Sequence, residues 1–113
     1  MQLLVIEDDV ELFETLSFEL PFLTDNVFES ILHAKTLSEA RAMLQTEKPD
    51  VVLFDVYLPD GVIFTDAETW LCAERRVLIC MTGEEKRGEL YESAIRTGVL
   101  SFIGKDMRFF ENV

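Results

Sequence analysis

The chain has 113 residues, 49% of them hydrophobic, which suffices for one buried core and is too short for two domains. The balance of 22 acidic against 10 basic residues gives a formal net charge of −12, which disfavours a nucleic-acid or anionic-membrane surface and favours cationic or metal partners. No apolar run approaches a membrane span, and Met1 leads directly into Gln2-Leu3-Leu4-Val5-Ile6 without a basic region or cleavage signal, so the expected location is the cytoplasm.

Leu3 to Ile6 is an all-apolar run that reads as a buried strand. It breaks at once into Glu7-Asp8-Asp9, and Leu12, Phe13, Leu16 and Leu20 then recur at helical spacing. Asp9 caps that helix. One cap uses one side chain, so Glu7 and Asp8 are left without a structural reason at a strand end. Pro21 to Glu29 reads as an irregular connection, with Pro21, Thr24, Asp25 and Asn26 as breakers. Ser30 to Ala34 is a second, shorter strand, on which His33 reads as a sheet residue without a proton-transfer or ligand role. Thr36-Leu37-Ser38-Glu39 has the spacing of a capping box and opens a helix with Leu37, Ala40, Met43 and Leu44 on one face, stopped by Lys48 and Pro49.

Val51 to Phe54 is the central apolar strand, entered after Pro49-Asp50 and left through a turn at Pro59-Asp60-Gly61. Asp55 stands at its end. A carboxylate there is costly to desolvate unless it faces a cleft, a cation or a hydrogen-bonding partner. A second T-x-x-E, Thr65 to Glu68, opens a short helix to about Arg75. Val77 to Met81 is the next strand, ending in Thr82-Gly83. A helix from Glu84 or Glu85 follows, with Leu90, Tyr91, Ala94 and Ile95 inward and Gly98 as its C-terminal cap. Val99 to Ile103 is a fifth strand that delivers Gly104-Lys105, and Asp106 to Val113 has the length of the first turns of a last helix. Cys72 and Cys80, without CxxC or Cys/His spacing, read as small buried hydrophobes. Five apolar strands alternating with helical patterns predict an α/β fold with one parallel sheet covered on both faces.

In such a sheet the strand ends bring Glu7 and Asp8, Asp55, Thr82 and Lys105 to one edge, where open α/β sheets bind their ligands. Neighbouring carboxylates at 4 Å repel by about 4 kcal/mol at an effective dielectric near 20, so the cluster asks for a cation. Carboxylate oxygens with water and backbone carbonyls suit Mg²⁺ better than zinc or copper. A lysine and a hydroxyl opposite a nucleophilic Asp would meet the oxygens of a phosphoryl group, and the chemistry that fits is phosphoryl transfer to Asp55.

The first-strand I-E-D-D, the L-F-D-V-Y-L-P-D-G around Asp55, the M-T-G after the fourth strand and the F-I-G-K-D after the fifth resemble the receiver domain of two-component response regulators across nearly the whole chain. The resemblance implies a doubly wound sheet in the order 2-1-3-4-5 over residues 1–113, as the N-terminal part of a longer regulator. That last expectation rests on the short end after Lys105, which fits either a receiver cut from a longer regulator or one that completes its core with another copy. The resemblance implies Asp55 as phosphoacceptor, taking a phosphoryl group from a sensor histidine kinase, a phosphotransfer protein or a small donor. Asp8 and Asp55 would bind Mg²⁺ directly, with the carbonyl of Tyr57 as a third ligand and Glu7 acting through water. Lys105, Thr82 and Phe102 would form the phosphoryl-sensing switch, and Tyr57 and Glu84 would tune hydrolytic water. The implied protein is a signalling switch, self-phosphorylating and self-dephosphorylating at Asp55 rather than an enzyme, with a possible homodimer and no direct nucleic-acid or membrane contact.

Three departures stand out. Lys105 is followed by Asp106 where the family usually has proline; a cis bond there would cost about 2.5 to 4 kcal/mol, so a trans bond is expected. The connection from Gly61 to Val77 is short, so the third helix is expected to be stunted. Only eight residues follow Lys105, so the last helix is expected to be truncated. The competing reading is a pseudo-receiver, a dimerisation or docking module that works without phosphorylation. A haloacid-dehalogenase-type hydrolase wants a second Asp where Tyr57 stands, and E-D-D-V-E replaces the glycine-rich turn of a dinucleotide site.

Overall fold

The apolar runs at Gln2–Ile6 (β1) and Val51–Asp55 (β3) form the middle of the sheet, with Leu3 to Ile6 and all of β3 buried. An unbroken apolar run is what a strand covered on both faces requires. The structure, a computed structural model, describes residues 1–63, 71, 76–82, 92 and 96–104; the side chains of Leu23, Thr82 and residues 101–104 stand outside that description. β1 pairs with β2 (Ser30–Ala34) on one side and β3 on the other, β3 with β6 (Val77–Thr82), and β6 with β7 (Ser101–Gly104). All four pairings are parallel, and the order β2-β1-β3-β6-β7 is the doubly wound order expected.

Side chains alternate along these strands to feed two cores. Leu4, Ile6, Val52 and Phe54 face helix α2 (Leu37–Thr46) through Leu37 and Ala40, while Leu3, Val5, Val51 and Leu53 face helix α1 (Val10–Leu23) through Leu16 and Leu20. Both helices begin with the predicted caps. The Asp9 carboxylate accepts from the Leu12 N–H at 3.1 Å, and the Thr36 hydroxyl oxygen accepts from the Glu39 N–H at 3.1 Å. Glu39 completes its box one residue earlier than the usual pattern, accepting from the Lys35 N–H at 2.6 Å.

Three expectations need correction. Pro21 does not end the first helix, which runs to Leu23. A proline removes its own N–H and crowds the carbonyl four residues back, but it does not remove the neighbouring bonds. The bonds flanking it are kept, Thr24 N–H to the Leu20 carbonyl at 2.9 Å and Asn26 N–H to the Pro21 carbonyl at 2.8 Å, and the turn closes through Asp25 and Asn26 at positive φ. The fifth strand starts at Ser101 rather than Val99, because the chain leaves Gly98 at φ +91° and Leu100 first bonds the Leu78 carbonyl at 2.8 Å. The turn after Asp55 is a small antiparallel hairpin, β4 (Tyr57–Leu58) with β5 (Gly61–Val62), extended by the Ile63 N–H on the Val56 carbonyl at 2.9 Å. The helix expected from Thr65 to about Arg75, Cys72, most of the helix before Gly98, the Lys105–Asp106 bond and the tail from Asp106 lie outside the described residues.

Candidate functional site

β1 ends at Ile6, level with Phe54 on β3, so the next residue of each strand, Glu7 and Asp55, reaches the carboxyl edge side by side. Both are buried, Glu7 at 1% exposure and Asp55 at 7%, whereas Asp8 is exposed. Oxygens of the Glu7, Asp8 and Asp55 carboxylates all lie within 4.8 Å of one another. At that separation and an effective dielectric of about 20, each pair of charges would repel by about 3.5 kcal/mol, less where Asp8 meets solvent. Hard oxygen donors so placed fit Mg²⁺ or another hard divalent cation.

The backbone holds this rim firmly. The Glu7 N–H donates to the Ala34 carbonyl at 2.9 Å, one Glu7 carboxylate oxygen accepts from the Asp9 N–H at 3.2 Å, and the Glu7 carbonyl meets His33 Nε2 at 2.6 Å. The His33 ring stacks on Phe13 with centroids 3.8 Å apart and planes 8° from parallel. Beside β3, the Cys80 thiol is pushed up to about 12, first by burial and then by the negative charge of Asp55. Cys80 is therefore a protonated, buried neighbour, as its sequence context predicts. On the other side of Asp55, the hairpin is fastened to α2: the Asp60 carboxylate accepts from the Leu37 N–H at 2.8 Å and the Ser38 N–H at 3.1 Å. The Leu37 bond is the largest cause holding Asp60 below the ordinary carboxylate value, against a desolvation contribution that raises it.

No protein-family model matches the chain. It is similar to the transcriptional regulatory protein DpiA of Escherichia coli, 28% identical over 109 residues, which is 96% of this chain and 47% of that protein. The chain thus spans about half the length of the curated relative it matches. Among solved structures it is similar to the non-phosphorylated HemR receiver domain from Leptospira biflexa, with 28% identity, a TM-score of 0.79, and coverage of 98% of this chain and 86% of that one. The chain folds as a response-regulator receiver domain. Another receiver domain of similar fold, from the histidine kinase CKI1 of Arabidopsis thaliana complexed with Mg²⁺, is 15% identical with a TM-score of 0.75, over 98% of this chain and 87% of that one.

Within this fold, the residues predicted from sequence divide by what is described. Glu7, Asp8 and Asp55 are brought together. Tyr57 opens β4 with its side chain half exposed beside the rim. Thr82 ends β6 and pairs with Gly104 at the same edge, and Phe102 pairs with Cys80 inside the sheet; the side chains of Thr82 and Phe102 stand outside the description. Lys105 and Glu84 lie outside the described residues. Two contributors escaped sequence reasoning. Asp60 reads locally as a turn residue, yet its partners are 23 and 22 residues away. His33 reads as an ordinary sheet residue, and the one local hint is its place at the last position before the β1–β2 ladder ends at Ala34.

Proposed function

We propose that this receiver domain is a phosphoacceptor switch, in which the Asp55 carboxylate takes a phosphoryl group from a phosphohistidine of a sensor kinase or phosphotransfer protein. The observation that carries this is the convergence of Glu7, Asp8 and Asp55 within 4.8 Å at the end of the central strands. One Asp55 oxygen forms a bond to phosphorus as the phosphorus–nitrogen bond of the donor breaks, and the departing imidazole takes a proton from solvent. Asp55 needs no general base, since a carboxylate oxygen is itself the nucleophile and has no proton to give up as it attacks. Mg²⁺, when bound, supplies neutralisation for the anionic donor. Asp8 and Asp55 would ligate it directly, with the Tyr57 carbonyl as a third ligand and Glu7 acting through water. The protein complexed with Mg²⁺ that shares this fold supports the choice of ion.

After transfer, Lys105 and the Thr82 hydroxyl would hold the phosphoryl oxygens, and Phe102 would follow Thr82 to change the face offered to a partner or effector, a second copy of the chain among them. Tyr57 and Glu84 would govern access of hydrolytic water. The new dianion favours whichever packing of that face gives it donors. The site works in a cytoplasmic two-component pathway on this reading. The test is to incubate the protein with Mg²⁺ and acetyl phosphate and weigh it intact beside Asp55→Asn. A phosphoryl adduct on the parent alone is expected; no adduct under any condition overturns the proposal and leaves a phosphorylation-independent docking module.

A further inference from the structure

We propose that His33 is a positioning residue for the acidic rim, its Nε2–H fixing the Glu7–Asp8 peptide so that both carboxylates face Asp55. The proposal rests on the cation-binding reading above and extends it to a residue outside the ligand set. The ladder between β1 and β2 ends at the Ile6–Ala34 pair, and Glu7 lies one residue beyond it. Two consecutive residues of β2 grip Glu7 on both sides. Its N–H is held by the Ala34 carbonyl at 2.9 Å, and its carbonyl by His33 Nε2 at 2.6 Å. In effect the imidazole replaces the next bond of the ladder.

A carbonyl oxygen only accepts, so Nε2 must carry the proton. The ring is not free to swing away while it lies flat against Phe13 of α1, with centroids 3.8 Å apart. Three elements thus set one peptide: β1 supplies it, β2 bonds it, and α1 fixes the plane of the bonding ring. Groups that orient ligands from outside the coordination sphere typically change metal affinity 10- to 100-fold, and a bond to the ligand's main chain belongs near the lower end.

The test separates donor from ring. His33→Phe keeps an aromatic face for Phe13 and loses the N–H, whereas His33→Gln keeps an N–H at similar reach and loses the ring. Mg²⁺ affinity is measured by calorimetry, and thermal stability in EDTA. Affinity is expected to follow the donor, falling about tenfold in His33→Phe and staying near the parent's in His33→Gln, while stability follows the ring and falls in His33→Gln. In the parent, ¹⁵N spectra of the imidazole are expected to show a proton on Nε2. The proposal is overturned if His33→Phe binds like the parent, if affinity and stability fall together in both variants, or if Nε2 is unprotonated in the neutral ring. A parent that binds no Mg²⁺ overturns the function proposed above, and this inference with it.

Discussion

At the residue scale, the rim is a place where charges have been assembled against their mutual repulsion. Asp8 is the informative member because it is exposed and can be neutralised without opening the core. In EDTA at low salt, Asp8→Asn is expected to stabilise the protein by roughly 1 kcal/mol, with the gain shrinking as salt is added. The same change is expected to weaken Mg²⁺ binding by about tenfold or more, as loss of a direct ligand should. Urea unfolding and calorimetry on one preparation check both, and a variant that loses stability in EDTA would argue against a strained carboxylate cluster. Glu7 and Asp8 were legible in the sequence because Asp9 alone suffices for the cap, and Asp55 because a carboxylate ending an apolar strand is costly to desolvate without a partner. The contribution of His33 was not, since its hydrogen bond depends on where β1 stops and on a ring brought by α1.

At the element scale, the hairpin β4–β5 and helix α2 act as one unit. Asp60 closes the first turn of α2, and Gly61 beside it sits at φ +146°, where an added Cβ would meet Leu37 Cδ1 at 3.2 Å. The segment that follows Asp55 is thereby anchored to a helix that precedes it in sequence. Because the two N–H bonds favour the ionised form, the folded-state value of Asp60 is depressed. Its contribution is therefore present above the unfolded value of 3.8 and lost as pH falls through the folded value. Asp60→Asn is expected to lower the urea midpoint near neutral pH, and the gap from the parent to narrow in acid. A gap that is constant with pH would contradict an ionised carboxylate at this helix start. Capping at Asp9 and Thr36 was legible because its chemistry is confined to four residues. The hairpin was hidden because two-residue strands carry no readable periodicity, and the Asp60 bonds because their partners lie in another element.

At the scale of the whole molecule, the parallel order β2-β1-β3-β6-β7 brings residues distant in sequence to one edge. That order follows from continuous apolar runs at β1, β3 and β6, which demand cover on both faces, and from α1 and α2 falling on opposite sides of the sheet. No helix among the described residues is long and apolar enough to cross a membrane. With a formal charge of −12, a cation at the rim would relieve repulsion felt across the molecule as well as within the cluster. The most direct test of the account is to locate the phosphoryl group by peptide mapping after treatment with acetyl phosphate, with Mg²⁺ and with EDTA. The account predicts modification on the peptide carrying Asp55 with Mg²⁺ and none in EDTA; modification at another residue, or to the same extent without a divalent ion, would contradict it.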